Sequence, residues 1–324
     1  MAEVAVVTGG SAGIGRATAR LLADGGADVA VLARGEERLG AARRDLEGRG
    51  VRALALRVDV ADAAAVEEAA ARVEADLGPI SVWVNNAMAT VFAPAWAIDP
   101  DEYRRATEVT YLGAVHGTLA ALRRMRPRDR GTIVQVGSAL AFRGIPLQAP
   151  YCASKHALQG FTESVRTELL HERSRVHLTM VHLPAHNTPQ FEWGRTRMPR
   201  HPRPVPPIFQ PEVAAEAIVA AARLRRRELF VGWPTLQAVW GNRLAPSLVD
   251  LYLARTGVRS QQTDEGVDLP RLDNLFEPAP GDYAAHGTFD AQARDRSLLL
   301  SVSLHRNGLA FAAGALLTAL ALRR

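Results

Sequence analysis

The chain has 324 residues, 48% of them hydrophobic, enough to bury a large core in one α/β domain with an appendage. Its net charge of +5 and isoelectric point near 9.9 come from scattered Lys and Arg with local clusters at 123–130, 195–203 and 223–227. No basic stripe interleaves with aromatics, which argues against a nucleic-acid binder and for an anionic small ligand, while the single cysteine, Cys152, excludes an internal disulfide and fits a reducing compartment.

Met1-Ala-Glu runs straight into a strand pattern at Val4 to Val7, with no secretory leader, and the expectation is a cytoplasmic protein. Thr8-Gly9-Gly10-Ser11-Ala12-Gly13-Ile14-Gly15 follows, then a helical pattern through Leu22. In a strand, glycine turn and helix of this kind, Gly9, Gly13 and Gly15 let the backbone turn sharply, approach a diphosphate and pack helix on strand. The helix N-terminus offers free amides to the anion, at Ser11 and Ile14 among others.

Asp28 to Ala33 reads as a second strand, Glu36 to Arg49 as a helix, Arg52 to Val58 as a third strand and Asp62 to Leu77 as a helix capped by Asp62. This alternation predicts a parallel sheet covered on both faces. Where a carboxylate would select NAD, the second strand ends in Leu32-Ala33-Arg34, and an arginine there can pair with a ribose 2′-phosphate. NADP(H) is therefore the expected cofactor, with NAD(H) as the alternative. Asp59-Val60 closes the third strand, where the carboxylate can accept from an adenine amino group. Ile80 to Asn86 is a fourth strand, and Asn85, Asn86 and Ala87 reach the same edge, either to hold cofactor hydroxyls or to brace strands.

Asp101 to Arg126 is a long helical region with Asp99 as a cap, and Gly131 to Val136 reads as the fifth strand, placing Ser138 at its carboxyl end. Tyr151-Cys-Ala-Ser-Lys155 opens a helix that ends near Leu170. A tyrosine and a lysine four residues apart share one helix face, and the ammonium favours the phenolate over a phenol whose ordinary pKa is about 10. Cys152 points away from that face and serves as a small buried hydrophobe.

Taken together, TGGSAGIG, Asp59-Val60, NNA, the serine of VGS at 136–138, YCASK and LPAHNT at 183–188 resemble the ordered motifs of the short-chain dehydrogenase/reductase family over roughly residues 4–232. The resemblance implies a Rossmann-type doubly wound sheet of about seven strands and NAD(P)-dependent interconversion of a carbonyl and an alcohol. It implies that Ser138 holds the substrate oxygen, that Tyr151 transfers its proton, and that Lys155 lowers the tyrosine pKa and binds the nicotinamide ribose. Pro184 and Thr188 would contact the carboxamide end. Three positions depart from the family pattern. Thr110 replaces the usual asparagine of a water relay to the lysine, Met88 the glycine after NNA, and Ala185 the glycine after Pro184.

The expected domain of residues 1–232 includes a substrate lid at 187–211, rich in Pro and Arg, where Phe191, Trp193 and Phe209 would wall an apolar pocket. Arg195, Arg197, Arg200 and Arg203 would meet an acidic substrate or a lipid headgroup, or remain solvated as simple loop charge. Pro211 to Arg225 resumes helix and Glu228 to Val231 gives a last strand. The extension 233–324 reads as one or two helices over Pro234 to Thr256, an irregular acidic stretch from Arg259 to Gly287, and helix again from Phe289 to Ser301. Residues 308–322 are apolar, flanked by Arg306 and Arg323-Arg324. As a helix they span about 22 Å, short of a hydrocarbon core of about 30 Å, so they suit a membrane-embedded anchor or a packing helix. His177, His182 and His186 lack metal-ligand spacing, and no metal is expected. The helices around Asp101 and Tyr151 resemble a homodimer interface of the family. The substrate expected is a small to medium hydrophobic carbonyl or alcohol, and the alternative function is a non-catalytic NADP(H)-binding scaffold docked through its extension.

Overall fold

A computed structural model describes residues 3–305. The apolar, β-branched runs form seven strands: β1 (Val4–Thr8), β2 (Asp28–Ala33), β3 (Ala53–Arg57), β4 (Val82–Asn85), β5 (Thr132–Ser138), β6 (His177–Leu183) and β7 (Glu228–Phe230). They make one parallel sheet in the order β7-β6-β5-β4-β1-β2-β3. Parallel neighbours require crossovers, and the amphipathic segments between strands supply them. These are α1 (Gly13–Asp24), α2 (Glu36–Glu47), α3 (Ala63–Asp76), α4 (Pro100–Thr107), α5 (Gly113–Arg128), α6 (Ala149–His171) and α7 (Pro211–Arg223).

The pleat sends alternate strand residues to opposite cores. Val4 and Val6 join Trp83 and the apolar faces of α3 and α5, whereas Ala5 and Val7 join residues of α1, α2 and α7. Because β1 pairs with both β2 and β4, the chain changes direction around it. A crevice therefore opens at the carboxyl ends of β1 and β4, where Gly9 and Asn86 lie.

The long helix expected from Asp101 to Arg126 is broken. A π-helical turn, Glu108–Leu112, separates α4 from α5. It sits where two tertiary contacts pull on the backbone. Thr110 Oγ1 bonds both the N–H (2.9 Å) and the carbonyl (3.0 Å) of Ala89, and Gly113 lies so close to Val60 that a Cβ would overlap it.

The extension begins with two helices, α8 (Trp233–Leu244) and α9 (Pro246–Thr256), which bury only Thr235 between them. The stretch after them is irregular apart from Gln262–Gly266, a strand antiparallel to Arg200–Pro202. The helix expected from Phe289 is replaced by a 3-10 turn (Asp290–Gln292), a two-residue strand (Ala293–Arg294) paired with Ile208–Phe209, and helix only from residue 298. Asn187 explains the difference: its Oδ1 accepts from Phe289 N at 3.0 Å and its Nδ2 donates to Asp290 at 2.8 Å, so tertiary bonds replace helical ones. The apolar segment 308–322 lies outside the described residues. No helix among the described residues is long and apolar enough to cross a membrane.

Candidate active site

The crevice is one continuous cavity of about 390 Å³ running from the ends of β2 and β3, past the glycine turn, to β5, β6 and α6. Every sequence-predicted site residue lines it except Gly15 and Thr110, which stand behind its wall.

The glycine turn is built as the sequence requires. Gly9 and Gly13 have φ of +65° and +56°, and a Cβ on Gly15 would overlap the Gly9 carbonyl. Asn86 does not face the cavity as a free hydroxyl binder. Its Nδ2 donates to the carbonyls of Thr8 (3.0 Å) and Gly9 (3.3 Å), and Thr8 Oγ1 accepts from the N–H groups of Asn86 and Ala87. The asparagine braces the turn, whose Gly13 amide donates to the Ala284 carbonyl at 2.9 Å. Asn85 is wholly structural, bonded to Trp83, Thr118 and Gln135.

At the other end of the cavity, Ser138, Tyr151 and Lys155 converge. Ser138 caps a 3-10 turn with its Oγ accepting from Leu140 N at 3.1 Å, and its hydroxyl acts on the neighbouring Tyr151 phenol in the direction that lowers the phenol pKa. Lys155 Nζ stands 5.4 Å from the Tyr151 ring centroid and donates to the Val136 carbonyl at 2.7 Å. Leu147, with φ +69°, turns the chain into α6 immediately before the tyrosine.

The Tyr151 pKa lies above the ordinary tyrosine value in this arrangement. Burial raises the Tyr151 pKa, and the Ser138 hydroxyl opposes it only in part. Burial also lowers Lys155 to about 8, so the ammonium is poised to lose its proton near neutrality. Thr110 holds the loop after β4 through Ala89. Cys152 is buried, and burial raises its thiol pKa.

The adenosine end differs from expectation in detail. Arg34 lines the cavity, but its guanidinium donates to backbone carbonyls of the extension, to Phe276 at 2.6 Å, Leu275 at 3.3 Å and Asn274. Asp59 is paired with Arg105 at 2.5 Å and accepts from Ala61 N at 3.0 Å. A residue that sequence reasoning missed, Arg38, also lines this end. It is 4% exposed, and its Nε has no hydrogen-bond partner among the described residues. Its only advance signal was its place one turn into α2, four residues past Arg34.

His186, named in the sequence only as a poor metal ligand, lines the cavity as well. Its Nδ1 bonds the Pro184 carbonyl at 3.0 Å, its Nε2 is buried without a partner, and burial lowers its pKa to about 4. It is a neutral acceptor on the cavity wall just past β6. The lid aromatics divide: Phe191 and Trp193 line the cavity, but Phe209 packs into the core with α7.

The lid arginines are fasteners. Arg195 bridges Glu102 (2.9 Å) and Asp273 (2.8 Å), Arg197 pairs with Glu102 and Asp99, and Arg200 with Asp264. Of the four, only Arg203 lines the cavity. No group of His, Cys, Asp or Glu among the described residues could hold a metal ion.

The residues present fit a nicotinamide dinucleotide. The glycine cradle tolerates no side chain at Gly15, a buried guanidinium N–H is unpartnered at the adenosine end, and a buried imidazole nitrogen is unpartnered at the other. Comparison with known proteins agrees. Residues 3–195 match the family model of short chain dehydrogenases. An uncharacterized oxidoreductase, YxnA of Bacillus subtilis (strain 168), is 32% identical over 299 residues, covering 91% of this chain and 83% of that protein. A 3-dehydrosphinganine reductase of Danio rerio is 30% identical over 225 residues, 67% of each chain.

Among solved structures, an alcohol dehydrogenase from the archaeon Thermococcus sibiricus, complexed with 5-hydroxy-NADP, superposes with a TM-score of 0.61 at 28% identity. The match covers 71% of this chain and 96% of that one. A short chain dehydrogenase/reductase from Burkholderia phymatum in complex with NAD shares the fold, with a TM-score of 0.68 at 21% identity over 78% of this chain and 95% of that one. With the sheet order, the glycine turn and the Ser138, Tyr151 and Lys155 cluster in place, the chain belongs to the short chain dehydrogenase family of oxidoreductases.

Proposed function

We propose that the protein is an NADP(H)-dependent oxidoreductase that interconverts a carbonyl and an alcohol on a small to medium apolar substrate. Residues 1–232 form the catalytic domain and 233–324 the extension. The observation that carries this reading is that Ser138, Tyr151 and Lys155 line the same cavity as the glycine turn, with Lys155 Nζ 5.4 Å from the Tyr151 ring centroid.

A dinucleotide with its diphosphate held at the glycine turn would supply the hydride from its reduced nicotinamide. The chain's own groups handle the oxygen and the proton. The Ser138 hydroxyl donates to the substrate carbonyl oxygen and polarises it. Tyr151, its pKa raised by burial, is fully protonated at neutral pH and stands as the proton donor to the developing alkoxide. Lys155, protonated below about pH 8, lies beside the ring and stabilises the phenolate left behind. In the oxidative direction the same residues act in reverse, with the phenolate as base.

The preference for NADP(H) is supported by Arg34 and Arg38, two guanidinium groups on the cavity wall at the end of β2, neither of which makes an ion pair among the described residues. The apolar substrate class is supported by Met88, Leu140, Ile145, Phe191 and Val205, which line the cavity.

The test is a panel of apolar ketones and aldehydes offered with NADPH, followed through the absorbance of the reduced nicotinamide. Consumption that requires both protein and carbonyl is expected. Tight NADPH binding with no turnover across the panel would establish the scaffold alternative instead.

A further inference from the structure

Two parts of the extension are held differently. The strap of residues 271–290 is tied to the rest of the molecule: Arg271 donates to the Phe191 carbonyl at 3.3 Å, and Arg34 donates to the carbonyls of Leu275 at 3.3 Å and Phe276 at 2.6 Å. The outer face of α8 and α9 has no such fastening. On α8, Trp233, Trp240 and Leu244 fall within about 40° of one another around the helix axis, and all three are exposed, Leu244 by 78%. On α9, Leu248, Leu251 and Tyr252 repeat the stripe at i, i+3 and i+4 and are exposed as well. A helix of a globular protein ordinarily turns such a stripe to the core; these two turn it to solvent.

The opposite face of α8 belongs to the site. Pro234 and Ala238, one turn apart, line the cavity. Asn242, a further turn on, accepts from Arg143 at 3.0 Å and donates to the Phe142 carbonyl at 2.9 Å, and Gly257 packs so closely on Pro146 that a Cβ would meet it at 2.7 Å. The same loop brings Leu140 and Ile145 to the cavity. α8 therefore stands as a wall between the cavity and the exposed stripe.

Charge and continuity identify what the stripe meets. Asp250, the one acid in the two helices, is paired with Arg143. The exposed guanidinium groups of Arg243, Arg255 and Arg259 make no hydrogen bond or ion pair among the described residues, which leaves the rim of the face positive. Just before Trp233, Gly232 N donates to Ser297 Oγ at 3.1 Å, and beyond Ser297 the helix that begins at residue 298 exposes Leu298 and Val302. The apolar face thus passes from α8 to the helix through which the described chain leaves. The sequence then continues into the apolar run 308–322 between Arg306 and Arg323-Arg324. Indole and phenol rings among leucines, with arginines at the rim, are the side chains that favour the boundary between hydrocarbon and headgroups.

We propose that the outer face of α8 and α9, continued by Leu298 and Val302, docks on an anionic lipid bilayer, and that an apolar substrate enters the cavity from the bilayer beside α8. The entry route rests on the function proposed above; the docking does not. The stripe exchanges water for acyl chains, and Arg243, Arg255 and Arg259 meet the headgroup phosphates.

The experiment floats the full-length protein with vesicles of phosphatidylcholine alone and of phosphatidylcholine mixed with phosphatidylglycerol. The wild-type protein is expected to bind the mixed vesicles, more weakly as salt rises, and to lose tryptophan fluorescence to brominated acyl chains. Combining Trp240→Gln, Leu244→Gln, Leu248→Gln and Leu251→Gln reduces vesicle affinity by about a hundredfold or more. Combining Arg243→Gln, Arg255→Gln and Arg259→Gln reduces it by about tenfold or more on the anionic vesicles alone. Trp233→Phe with Trp240→Phe keeps the binding and removes most of the quenching. NADPH affinity is unchanged in all three variants, which reports their folding. The fourfold glutamine variant raises the KM for a long-chain ketone dissolved in the vesicles by about tenfold or more and leaves that for a short, water-soluble aldehyde unchanged.

Vesicle binding that survives the glutamine substitutions, with no quenching of Trp233 and Trp240, would assign attachment to another part of the chain and overturn the proposal. Failure to bind vesicles would overturn it too, and a dimer that the same substitutions dissolve would then put a second copy on the face. An unchanged KM for the dissolved ketone would overturn the entry route alone. Docking as expected without any carbonyl turnover would count against the proposed reaction and leave the docking face standing.

Discussion

Two halves of this molecule are held together by different physics. In the sheet, strands and helices interlock through continuous apolar faces: Trp83, Ile133, Leu178 and Met125 are almost fully buried, and alternate residues of each strand feed one core or the other. In the extension, α8 and α9 leave Trp233, Trp240, Leu244, Leu248, Leu251 and Tyr252 largely exposed, and the strap after them is fastened mainly by arginine side chains donating to backbone carbonyls. The first half derives its stability from burial; the second derives its position from directional bonds. A region held by directional bonds is placed accurately but opens at lower cost.

This contrast can be broken most forcefully in the core. Trp83→Ala should destabilise the protein by about 3–5 kcal/mol, whereas Trp240→Ala, at a side chain 54% exposed, should change stability by no more than about 0.5 kcal/mol. Denaturant midpoints of the two variants measure this directly, and equal losses would mean that the extension shares the core.

Next in size is Gly15→Ala. The added methyl group meets the Gly9 carbonyl and the Asn86 amide, so the turn must deform, and NADP+ affinity should fall by about tenfold or more. Calorimetry would expose an unaltered affinity.

A pH effect sharpens the picture of the catalytic end. The lowered pKa of Lys155, about 8 without dinucleotide, means that binding an anionic cofactor beside it takes up a proton above that pH. Affinity for NADP+ should therefore decline as pH rises through about 8, and Lys155→Met should flatten that decline.

The smallest effect belongs to the strap. Burial opposes the charge on His286, but hydrogen bonds to Glu212 and Asp290 outweigh it and raise the histidine pKa. With the folded value above the unfolded one, the contribution is complete below the ordinary histidine pKa of about 6.5 and disappears as pH rises through the raised value. His286→Gln should cost about 0.5 kcal/mol at pH 6 and nothing at pH 9, since the group is partly exposed and screened. Limited proteolysis around residues 284–290 at the two pH values follows the latch.

Much of the first half was legible in the chain because its signals are local. Strand and helix periods, the glycine turn and the four-residue step from Tyr151 to Lys155 each lie within one element or two. The doubly wound sheet and the lining of the cavity followed from them. What the sequence could not disclose were partnerships between distant segments.

Arg34 stands at the end of β2, where a phosphate ligand is expected, yet its acceptors lie about 240 residues away in a stretch with no periodicity. The helix expected from Phe289 has adequate local propensity, but Asn187 captures its first turn. The lid arginines read as solvated or ligand-facing, and their pairing went unseen because Glu102, Asp99 and Asp273 are remote in sequence. The tyrosine's pKa depended on burial, which no spacing rule reports.

The most direct test of the central claim compares the wild-type protein with Tyr151→Phe, measuring NADPH binding and carbonyl-dependent NADPH oxidation on the same preparations. Both proteins should bind NADPH with affinities within about threefold, because the substitution removes one hydroxyl, and turnover should fall by about 10²–10⁴-fold in the variant. Equal turnover by Tyr151→Phe would contradict the assignment of the phenol as the proton donor.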